Sequence, residues 1–539
     1  MTRFLLLPLV LLYLCAAPSV HALEKWIYIS KNLLLDKSVD EIEGLMKTGQ
    51  AAGYDHILLS DSKFSRLADM DQRYFRNCER VKQLAAKYQI EIVPALFAVG
   101  YSNDLLGRDP NLVEALPVKN VPLTVEGGVA HVDDPTAPKL PPDFSDWKKW
   151  GFHDDVVSSE NGAAVLDGTK NGNARVSLKL KVQPWRQYHV SVKIKTKDFK
   201  AQPEIKPLAN RVLAWENLGV KPNQDWTVHQ AVFNSEDNTE ITLWFGVWGT
   251  RGGTLWFSEP KIEEIAFMNM PRRAGCPLVV AHASADGSAG AALVEGKDFE
   301  PLKDPLLGQK PWPGEYDTYH EPPVLRAKLP DGTKLVASYY NAQTVYEHQA
   351  MICPSEPKTM ELLRDQATRM HKLWGAKGYM MSHDEIRNLN WCEACQKRHL
   401  TPGQMLAENV KQCIQILRQV NPGGRIYVWN DMFDPNHNAV KGPYYLVNGS
   451  LEGSWEGLDK DVIILPWYYE KRAASIKFFA DRGNKQVLAG YYDSRPERIV
   501  DWLNAAKEAP GSVIGVMYTT WENKYGDLEA FAKAADGVK

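Results

Sequence analysis

The sequence predicts an α/β fold: a (β/α)8 barrel of the TIM type with an inserted antiparallel β-sandwich. Three observations lead to this prediction. Short apolar runs rich in β-branched and aromatic residues alternate with helix-length segments near both ends of the chain. In the middle of the chain, strands of alternating polarity with Gly, Asn and Pro turns replace that alternation. With 539 residues, the chain is long enough for two or more hydrophobic cores.

The first barrel segment contains three strand-like runs separated by two helix-length segments. The runs are WIYIS at 26–30, HILLS at 56–60 and EIVPALF at 91–97, with helices expected near 38–52 and 71–88. This alternation is typical of βαβ units with parallel strands. We therefore assign residues 23–125 to the first part of the barrel.

The same alternation resumes after residue 350 with a predicted helix at 358–376. The strands that follow are GYMMS at 378–382, RIYVWND at 425–431, VIILPWYY at 462–469, QVLAGYYD at 486–493 and VIGVMYTTW at 513–521. Three strands before the interruption and five after it match the eight strands of a TIM barrel. We assign residues 351–539 to the second part of the barrel and place the remaining apolar run, LVASYY at 335–340, outside it.

The interruption has the composition of antiparallel β-structure. Residues 140–268 contain alternating strands such as RVSLKLKV and ITLWFGVWG and predict a β-sandwich. Residues 269–350 predict a smaller β-rich connection. The run GTLWFSEPKIEEI at 253–265 resembles the last strand of carbohydrate-binding jelly-roll modules. This resemblance implies glycan binding by the insertion, and a purely structural domain is the alternative.

The N-terminus and the charge balance limit the possible locations and partners. Residues 1–22 place Arg3 before an apolar run that ends on Val20-His21-Ala22, which predicts a signal peptide and an exported protein, periplasmic or extracellular. A net charge of -3 indicates no preference for nucleic acid. No later run approaches the ~18 apolar residues of a membrane span. We expect no organic cofactor and assign no metal ligand, and the oligomeric state is unknown.

Acidic and aromatic residues follow the predicted barrel strands. In a TIM barrel the chemistry lies at the carboxyl ends of the strands, so these residues should share one rim. Carboxylates for proton transfer and aromatic rings that stack on sugars describe a carbohydrate pocket. The expected substrate is therefore an oligosaccharide or polysaccharide. The residues that we assign to substrate binding are His383, Trp429, Asp431, Trp467, Tyr468, Tyr492, Asp493, Trp521 and Glu522.

The adjacent acids Asp384 and Glu385 are the catalytic candidates. Neighbouring residues of a strand point to opposite sides, so both can serve one pocket only where the strand turns into its loop. There, a glutamic acid between apolar and aromatic walls can stay protonated while the aspartate is ionised. The alternative is a structural acid pair at a helix N-terminus, with Asp384 as the cap. His383 beside the pair could bind substrate or serve only structure.

SHDE at the end of the fourth strand, WND on the next strand and YTTWEN on the last strand resemble glycoside hydrolase family 20. These enzymes are β-N-acetylhexosaminidases in which an Asp-Glu pair ends strand four of the barrel. The resemblance implies that Glu385 is the general acid/base and that Asp384 orients the substrate's 2-acetamido group, whose carbonyl oxygen is the nucleophile. It also implies that Trp429, Trp467 and Trp521 are walls of the pocket. Tyr492 or Tyr468 would donate a hydroxyl hydrogen bond to the acetamido group.

The sequence therefore predicts a retaining glycoside hydrolase that cleaves N-acetylhexosamine-containing glycans by a substrate-assisted mechanism. One alternative is an ordinary two-carboxylate glycosidase on another glycan, with Asp493 or Glu522 as the enzymic nucleophile. Another alternative is a non-catalytic glycan-binding protein on a barrel scaffold.

Cys392 and Cys395 form a C-x-x-C pair shortly after the acid pair, and His399 follows at helical spacing. An exported protein favours a disulfide that staples the loop or a pair of reduced thiols. A zinc site is the second interpretation, but only three ligands are close in sequence. Redox catalysis is the third.

Overall fold

The computed structural model describes residues 23–170, 172–346 and 348–538, so the predicted signal peptide at 1–22 lies outside the described residues. Eight parallel strands form a closed barrel, which confirms the predicted fold class. Every neighbouring pair around the barrel is parallel. Barrel strands 1 to 8 are Glu24–Ser30, His56–Ser60, Glu91–Leu96, Gly378–Met381, Arg425–Trp429, Ile463–Leu465, Gln486–Ala489 and Val513–Tyr518.

Alternation along the barrel strands separates two hydrophobic cores. One set of side chains, including Trp26, Leu58, Val93, Met380 and Tyr427, packs together inside the barrel. The intervening residues pack against the outer helices in a second core. The uppermost inward-facing residues therefore reach the carboxyl end of the barrel, where a site would lie.

The outer helices have clear termination signals. The helix Pro357–Trp374 begins with proline at its first position and ends at Gly375, which has a left-handed φ of 55°. The helix Pro402–Val420 begins with a capping box between Thr401 and Gln404. The other helices of the barrel are Asp36–Ala51, Gln72–Tyr88, Arg472–Asp481, Arg498–Ala506 and Leu528–Asp536.

The connection between barrel strands 5 and 6 departs from the expected alternation. In residues 430–462, all of which are described, the chain forms the 3-10 segments Asp431–Phe433 and Ser454–Gly457 instead of an α-helix. The sequence DPNHNAVKGPYYLVNGS in this connection is rich in Asn, Pro and Gly, which disfavour a continuous helix. The connection instead runs as a long loop beside the carboxyl end of the barrel.

The insertion between barrel strand 3 and the helix Pro357–Trp374 contains a β-sandwich of two antiparallel sheets. Phe245 is fully buried in its core, whereas Trp244 lies on the opposite face, with its ring centroid 6.2 Å from that of Trp248. One sheet contains Gln224–Asn234, Gln187–Lys197, Thr254–Ile265, Ala163–Asp167 and Val157–Glu160. The other contains Glu204–Leu208, Glu240–Val247, Ala174–Lys181 and Phe152–His153.

A separate six-stranded sheet connects the sandwich to the barrel. Its strands are, in order across the sheet, Ala289–Ala292, Val279–Ala283, Lys334–Asn341, Leu116–Glu126, Val129–Val132 and Leu325–Arg326. The run LVASYY thus lies outside the barrel, as expected. Residues 116–126, which we placed within the first barrel segment, belong to this sheet because Leu123 pairs with Leu335 and packs in its core. No helix in the described residues combines the length and apolar character needed to span a bilayer.

Candidate active site

A cavity of about 460 Å³ opens at the carboxyl end of the barrel strands. It lies above the packed barrel interior, and its walls come from the ends of several strands and from the loops that follow them. The lining residues are Tyr28, Leu58, Ser60, Ala95, Ala98, Tyr101, Ser382, Asp384, Glu385, Trp429, Trp467, Tyr492 and Trp521. Asp384 and Glu385 are the carboxylates among these described residues, and aromatic rings supply most of the wall.

The acid pair faces one cavity because the backbone turns between its two members. Barrel strand 4 ends at Met381, and Glu385 adopts a left-handed φ of 49°. The amide N–H of Glu385 donates a 2.9 Å hydrogen bond to Oδ2 of Asp431, which fixes this turn. A left-handed conformation is unfavourable for a glutamate, so the surrounding contacts must hold it in place.

The carboxylate of Glu385 has two partners at the cavity edge, one hydroxyl group and one guanidinium group. Its Oε2 atom accepts a short hydrogen bond from Tyr101 and lies 2.5 Å from Nη2 of Arg387. Nη1 of Arg387 donates to the Tyr101 hydroxyl over 3.2 Å and also to the side chain of Gln349. Tyr101 and Arg387 therefore hold the carboxylate directly, and Gln349 holds Arg387 in place.

The inserted sandwich contacts this network through aromatic packing. The guanidinium carbon of Arg387 lies 5.0 Å from the ring centroids of both Tyr346 and Tyr445. Trp215, in the sandwich segment between two strands, packs against Tyr445 with a centroid distance of 4.6 Å. Its carbonyl also accepts a 2.7 Å hydrogen bond from the amide of Tyr346. The insertion thus helps to hold Arg387 beside Glu385.

Burial and mutual repulsion favour retention of protons among the acids of the site. Burial, followed by the negative charge of Glu385, raises the pKa of Asp384 to about 7. Burial and the neighbouring Asp384 raise the pKa of Asp431 well above its usual range. Burial and Asp384 also raise the pKa of Tyr28 to about 12. This differs from the expected combination of a protonated Glu385 and an ionised Asp384, because Asp384 retains a proton up to about neutral pH and the Glu385 carboxylate lies beside Arg387.

Aromatic rings form the walls opposite the acids. Trp467 and Tyr492 are stacked with a centroid distance of 5.3 Å and an interplanar angle of 4°. Trp521 lies 6.1 Å from Tyr492 and 6.0 Å from Trp429, and Tyr28 packs against both tryptophans. Such rings can stack on the apolar faces of a pyranose.

The structure places two of the predicted substrate-binding acids in other contacts. The Asp493 carboxylate accepts hydrogen bonds from the Thr520 hydroxyl and from the amides of Trp521 and Glu522. It therefore shapes the loop after barrel strand 8 and does not line the cavity. Glu522 is exposed to solvent and forms an ion pair with Lys524, also away from the cavity walls.

Three more residues that we assigned to substrate binding support the site from outside. His383 is fully buried and contacts Asn409 through Nε2 at 3.2 Å, and burial lowers its pKa to about 4. This position fits the structural alternative for His383. Asp431 lies behind the acid pair, and Tyr468 stacks on His437 with a centroid distance of 4.6 Å.

Sequence inspection did not identify Tyr28, Tyr101 or Arg387 as site residues. Tyr101 follows barrel strand 3, a strand end at which we named no residue, and strand ends are where a TIM barrel carries its site. Tyr28 faces inward by strand alternation, two residues before Ser30. Arg387 follows the acid pair closely, but nothing in the sequence indicates that it turns back toward Glu385.

The C-x-x-C pair is buried and the thiols of Cys392 and Cys395 are free, so the disulfide we considered between them is not formed. His399, the third ligand of the zinc interpretation, is exposed on the surface. Cys353 and Glu114, from other parts of the chain, lie beside the two thiols instead.

Close packing against the acid pair gives a test of its positioning. A Cβ atom added to Gly100 would lie 1.9 Å from the carbonyl oxygen of Asp384, a backbone atom that cannot move aside easily. We expect Gly100→Ala to destabilise the protein by roughly 1–3 kcal/mol through overpacking. Displacement of the pair should lower kcat/KM by ~100-fold in the activity assay given below.

The matched control for this test is Gly44→Ala in the helix Asp36–Ala51. An added Cβ at Gly44 meets no atom within 4 Å. This substitution should leave activity unchanged and raise the melting temperature slightly, because alanine favours helix more than glycine does. Full activity in Gly100→Ala would show that the acid pair does not need its present position.

Comparison with known proteins finds similar solved structures at low sequence identity. No family model matches the chain, and no curated protein matches it. The structure is similar to an N-acetyl-β-hexosaminidase of Streptomyces plicatus, with 10% identity and a TM-score of 0.36. The match covers 95% of this chain and 63% of the hexosaminidase. The structure also resembles a family 20 exo-β-N-acetylglucosaminidase of Vibrio harveyi, with 10% identity, coverage of 70% and 93%, and a TM-score of 0.31.

A shorter likeness involves 22% of the chain. This part of the chain is similar to a structure described as a carbohydrate-binding module of family 4, with 14% identity and a TM-score of 0.16. The match covers 83% of that module. The matched chains thus include carbohydrate-active proteins, at identities that leave the chemistry to be derived from the site.

Proposed function

We propose that the protein is a glycoside hydrolase that cleaves N-acetylhexosamine-containing glycans by a retaining, substrate-assisted mechanism. The observation that carries this proposal is the acid pair: Asp384 and Glu385 both line one aromatic-walled cavity at the carboxyl end of the barrel. The cavity volume of about 460 Å³ lies within the range of small-molecule sites. The acids supply proton transfer, and the rings supply sugar stacking.

In the proposed reaction the substrate provides its own nucleophile. The reactive form of the acid pair carries its proton on Glu385 and its negative charge on Asp384. Glu385 then donates this proton to the glycosidic oxygen while the carbonyl oxygen of the 2-acetamido group attacks the anomeric carbon, and the bond to the leaving sugar breaks. Asp384 accepts a hydrogen bond from the acetamido N–H and stabilises the positive charge of the oxazolinium intermediate. Water then attacks the anomeric carbon and gives a proton to Glu385, which restores the acid. The bond between the anomeric carbon and the acetamido oxygen breaks in the same step, which regenerates the acetamido group.

The distribution of carboxylates favours this mechanism over a two-carboxylate mechanism. The latter needs a second acid across the cavity, about 5–5.5 Å from the first, to act as nucleophile. Asp493 and Glu522, the two candidates for that role, do not line the cavity, and Asp493 is occupied by three hydrogen bonds.

Export, which the N-terminal sequence predicts, would bring such an enzyme to polymeric glycans outside the cytoplasm.

The proposal is tested by a substrate series of 4-nitrophenyl glycosides. The β-N-acetylglucosaminide and β-N-acetylgalactosaminide should be cleaved with kcat/KM at least ~100-fold above that of the β-glucoside and β-galactoside, because only the former carry the internal nucleophile. Chitin oligosaccharides, followed by release of reducing ends, extend the series to longer substrates.

Two outcomes would contradict the proposal. Equal cleavage of sugars with and without the acetamido group would indicate an enzymic nucleophile and a two-carboxylate mechanism. Binding of the glycans without cleavage of any glycoside or oligosaccharide would indicate a non-catalytic binding protein.

A further inference from the structure

A buried cluster of thiols lies behind the loop that carries the acid pair. Sγ of Cys353 is 3.5 Å from Sγ of Cys392 and 3.5 Å from Sγ of Cys395. Oε2 of Glu114 lies 3.5 Å from Sγ of Cys392 and 3.4 Å from Sγ of Cys395. All four side chains are buried, and their ligand atoms lie within 4.8 Å of one another.

The geometry does not suit a simple disulfide. Cys353 is equally far from both sulfurs of the C-x-x-C pair, and the thiol of Cys276 also contacts that of Cys392, so the sulfurs form one group and are not separated into bonded pairs. If a disulfide formed here, the Glu114 carboxylate would remain buried beside sulfur. A carboxylate buried among thiols is less favourable than an apolar side chain at the same position, unless a proton or a cation lies between the groups.

The position of Glu114 is fixed through its other oxygen. Oε1 of Glu114 accepts hydrogen bonds from the amides of Trp391, at 2.7 Å, and Cys392, at 3.0 Å. These bonds leave Oε2 directed at the sulfurs of Cys392 and Cys395. Anchoring of one carboxylate oxygen by amide donors is the kind of outer contact that orients a metal ligand.

We infer that Cys353, Cys392, Cys395 and Glu114 form a tetrahedral zinc site. Zinc–sulfur bonds of about 2.3 Å place the sulfurs of a tetrahedral site about 3.8 Å apart, close to the distances found here. Thiolates select soft or borderline metals, and three thiolates with one carboxylate leave zinc no open position. A closed ligand set indicates a structural rather than a catalytic ion.

The charge around the cluster is compatible with anionic ligands. Arg273 is buried nearby and donates hydrogen bonds to the carbonyls of Asn111, at 2.8 Å, and Val113, at 2.9 Å. Its guanidinium also forms an ion pair with the carboxylate of Glu356, so only part of its positive charge acts on the segment that carries Glu114. Such a cation offsets part of the negative charge that thiolates and a carboxylate bring to a bound zinc ion.

The ligands join three segments that are separate in sequence. Glu114 follows barrel strand 3, Cys353 precedes the helix Pro357–Trp374, and the C-x-x-C pair follows the acid pair. The amides of Glu114 and Cys353 also bond to the carbonyls of Met351 and Leu112, each over 2.8 Å. A zinc ion at this point would fasten the catalytic loop to the start of the insertion, independently of what the enzyme cleaves.

The test is the metal content of the full chain, purified without a metal-affinity column and measured by inductively coupled plasma mass spectrometry. We expect about one zinc ion per chain, reduced at least ~10-fold in Cys353→Ser and in Cys395→Ser. The matched controls are Cys78→Ala and Cys413→Ala, which remove buried thiols outside the cluster and should keep about one zinc ion.

A second measurement keeps the inference falsifiable if the ligand variants do not fold. The wild-type protein is denatured with a chelator, alkylated without prior reduction and weighed. Alkylation of all six cysteines after residue 22, together with stoichiometric zinc, supports the site. A zinc-free protein in which two or more thiols resist alkylation would overturn it in favour of disulfides, and stoichiometric iron or copper would overturn the choice of metal.

The fourth ligand is decided by one further pair of variants. Cys276 also contacts the Cys392 thiol, but it lies outside the set of mutually close ligand atoms. Glu114→Gln should therefore lower the zinc content and the melting temperature, whereas Cys276→Ser should keep the ion. The opposite result would overturn the assignment of Glu114 and indicate a four-cysteine site.

Discussion

Replacement of Glu385 by glutamine should lower kcat/KM for the acetamido glycosides by about 1,000-fold, because general acid catalysis typically contributes 100- to 10,000-fold. The amide has nearly the shape of the carboxylic acid but cannot transfer a proton. Its carbonyl oxygen can still accept hydrogen bonds from Tyr101 and Arg387, so the cavity should keep its form and the substrate should still bind. The loss should therefore fall mainly on kcat and not on KM.

The measurement compares leaving groups of different acidity. A 4-nitrophenolate leaves without much protonation, whereas a sugar alcohol needs a proton, so the variant should lose more activity on chitin disaccharide than on the aryl glycoside. Glu529→Gln, an exposed glutamate on the last helix, is the matched control and should behave as wild type. Equal losses on both kinds of substrate, or no loss, would mean that Glu385 is not the proton donor.

The barrel could be predicted from the sequence because its signal is local. Each barrel strand is a short apolar run, most of these runs are followed by a helix-length segment, and eight of them remain once LVASYY is set aside. The acid pair could be predicted for the same reason, since a TIM barrel fixes which end of a strand carries chemistry. The walls Trp429, Trp467 and Trp521 follow directly from strand ends.

The contacts between distant segments could not be predicted in this way. Arg387 reaches Glu385 only because the chain turns at a left-handed residue, and strand periodicity contains no information about such a turn. His383 was predicted to bind substrate because it lies next to the acids in sequence. In the structure, alternation along the strand end buries it against Asn409. Cys353 and Glu114 join Cys392 and Cys395 only after the barrel has closed, so spacing along the chain gave an incomplete ligand set.

Replacement of Asp384 by asparagine should have opposite effects on activity and on stability. Activity requires the ionised carboxylate, which accepts the acetamido N–H and stabilises the oxazolinium charge, so kcat/KM should fall by about 100-fold. In the wild type the ionised fraction of Asp384 grows as the pH rises through its pKa of about 7, and kcat/KM should rise over the same range. The variant lacks this titration, and that acid limb should disappear from its pH profile.

Stability should change in the other direction because the pKa of Asp384 is raised on folding. A raised acid pKa means that the contribution of this group to stability is complete below the unfolded pKa of about 4 and is lost as the pH rises through the folded value. The folded value is about 7. Above neutral pH the wild type therefore carries a buried negative charge that asparagine removes. We expect Asp384→Asn to be more stable than the wild type by on the order of 4 kcal/mol near pH 8 and equally stable near pH 4.

Melting temperatures of the two proteins across this pH range, set beside kcat/KM on the β-N-acetylglucosaminide, measure both effects at once. Asp481→Asn, which alters an exposed aspartate paired with Lys477, is the matched control and should shift neither quantity by much. A variant that is less stable than the wild type at alkaline pH would show that the ionised Asp384 holds the loop together. A variant that gains stability while losing activity would instead indicate that the fold tolerates a destabilising charge at the position where the reaction requires it.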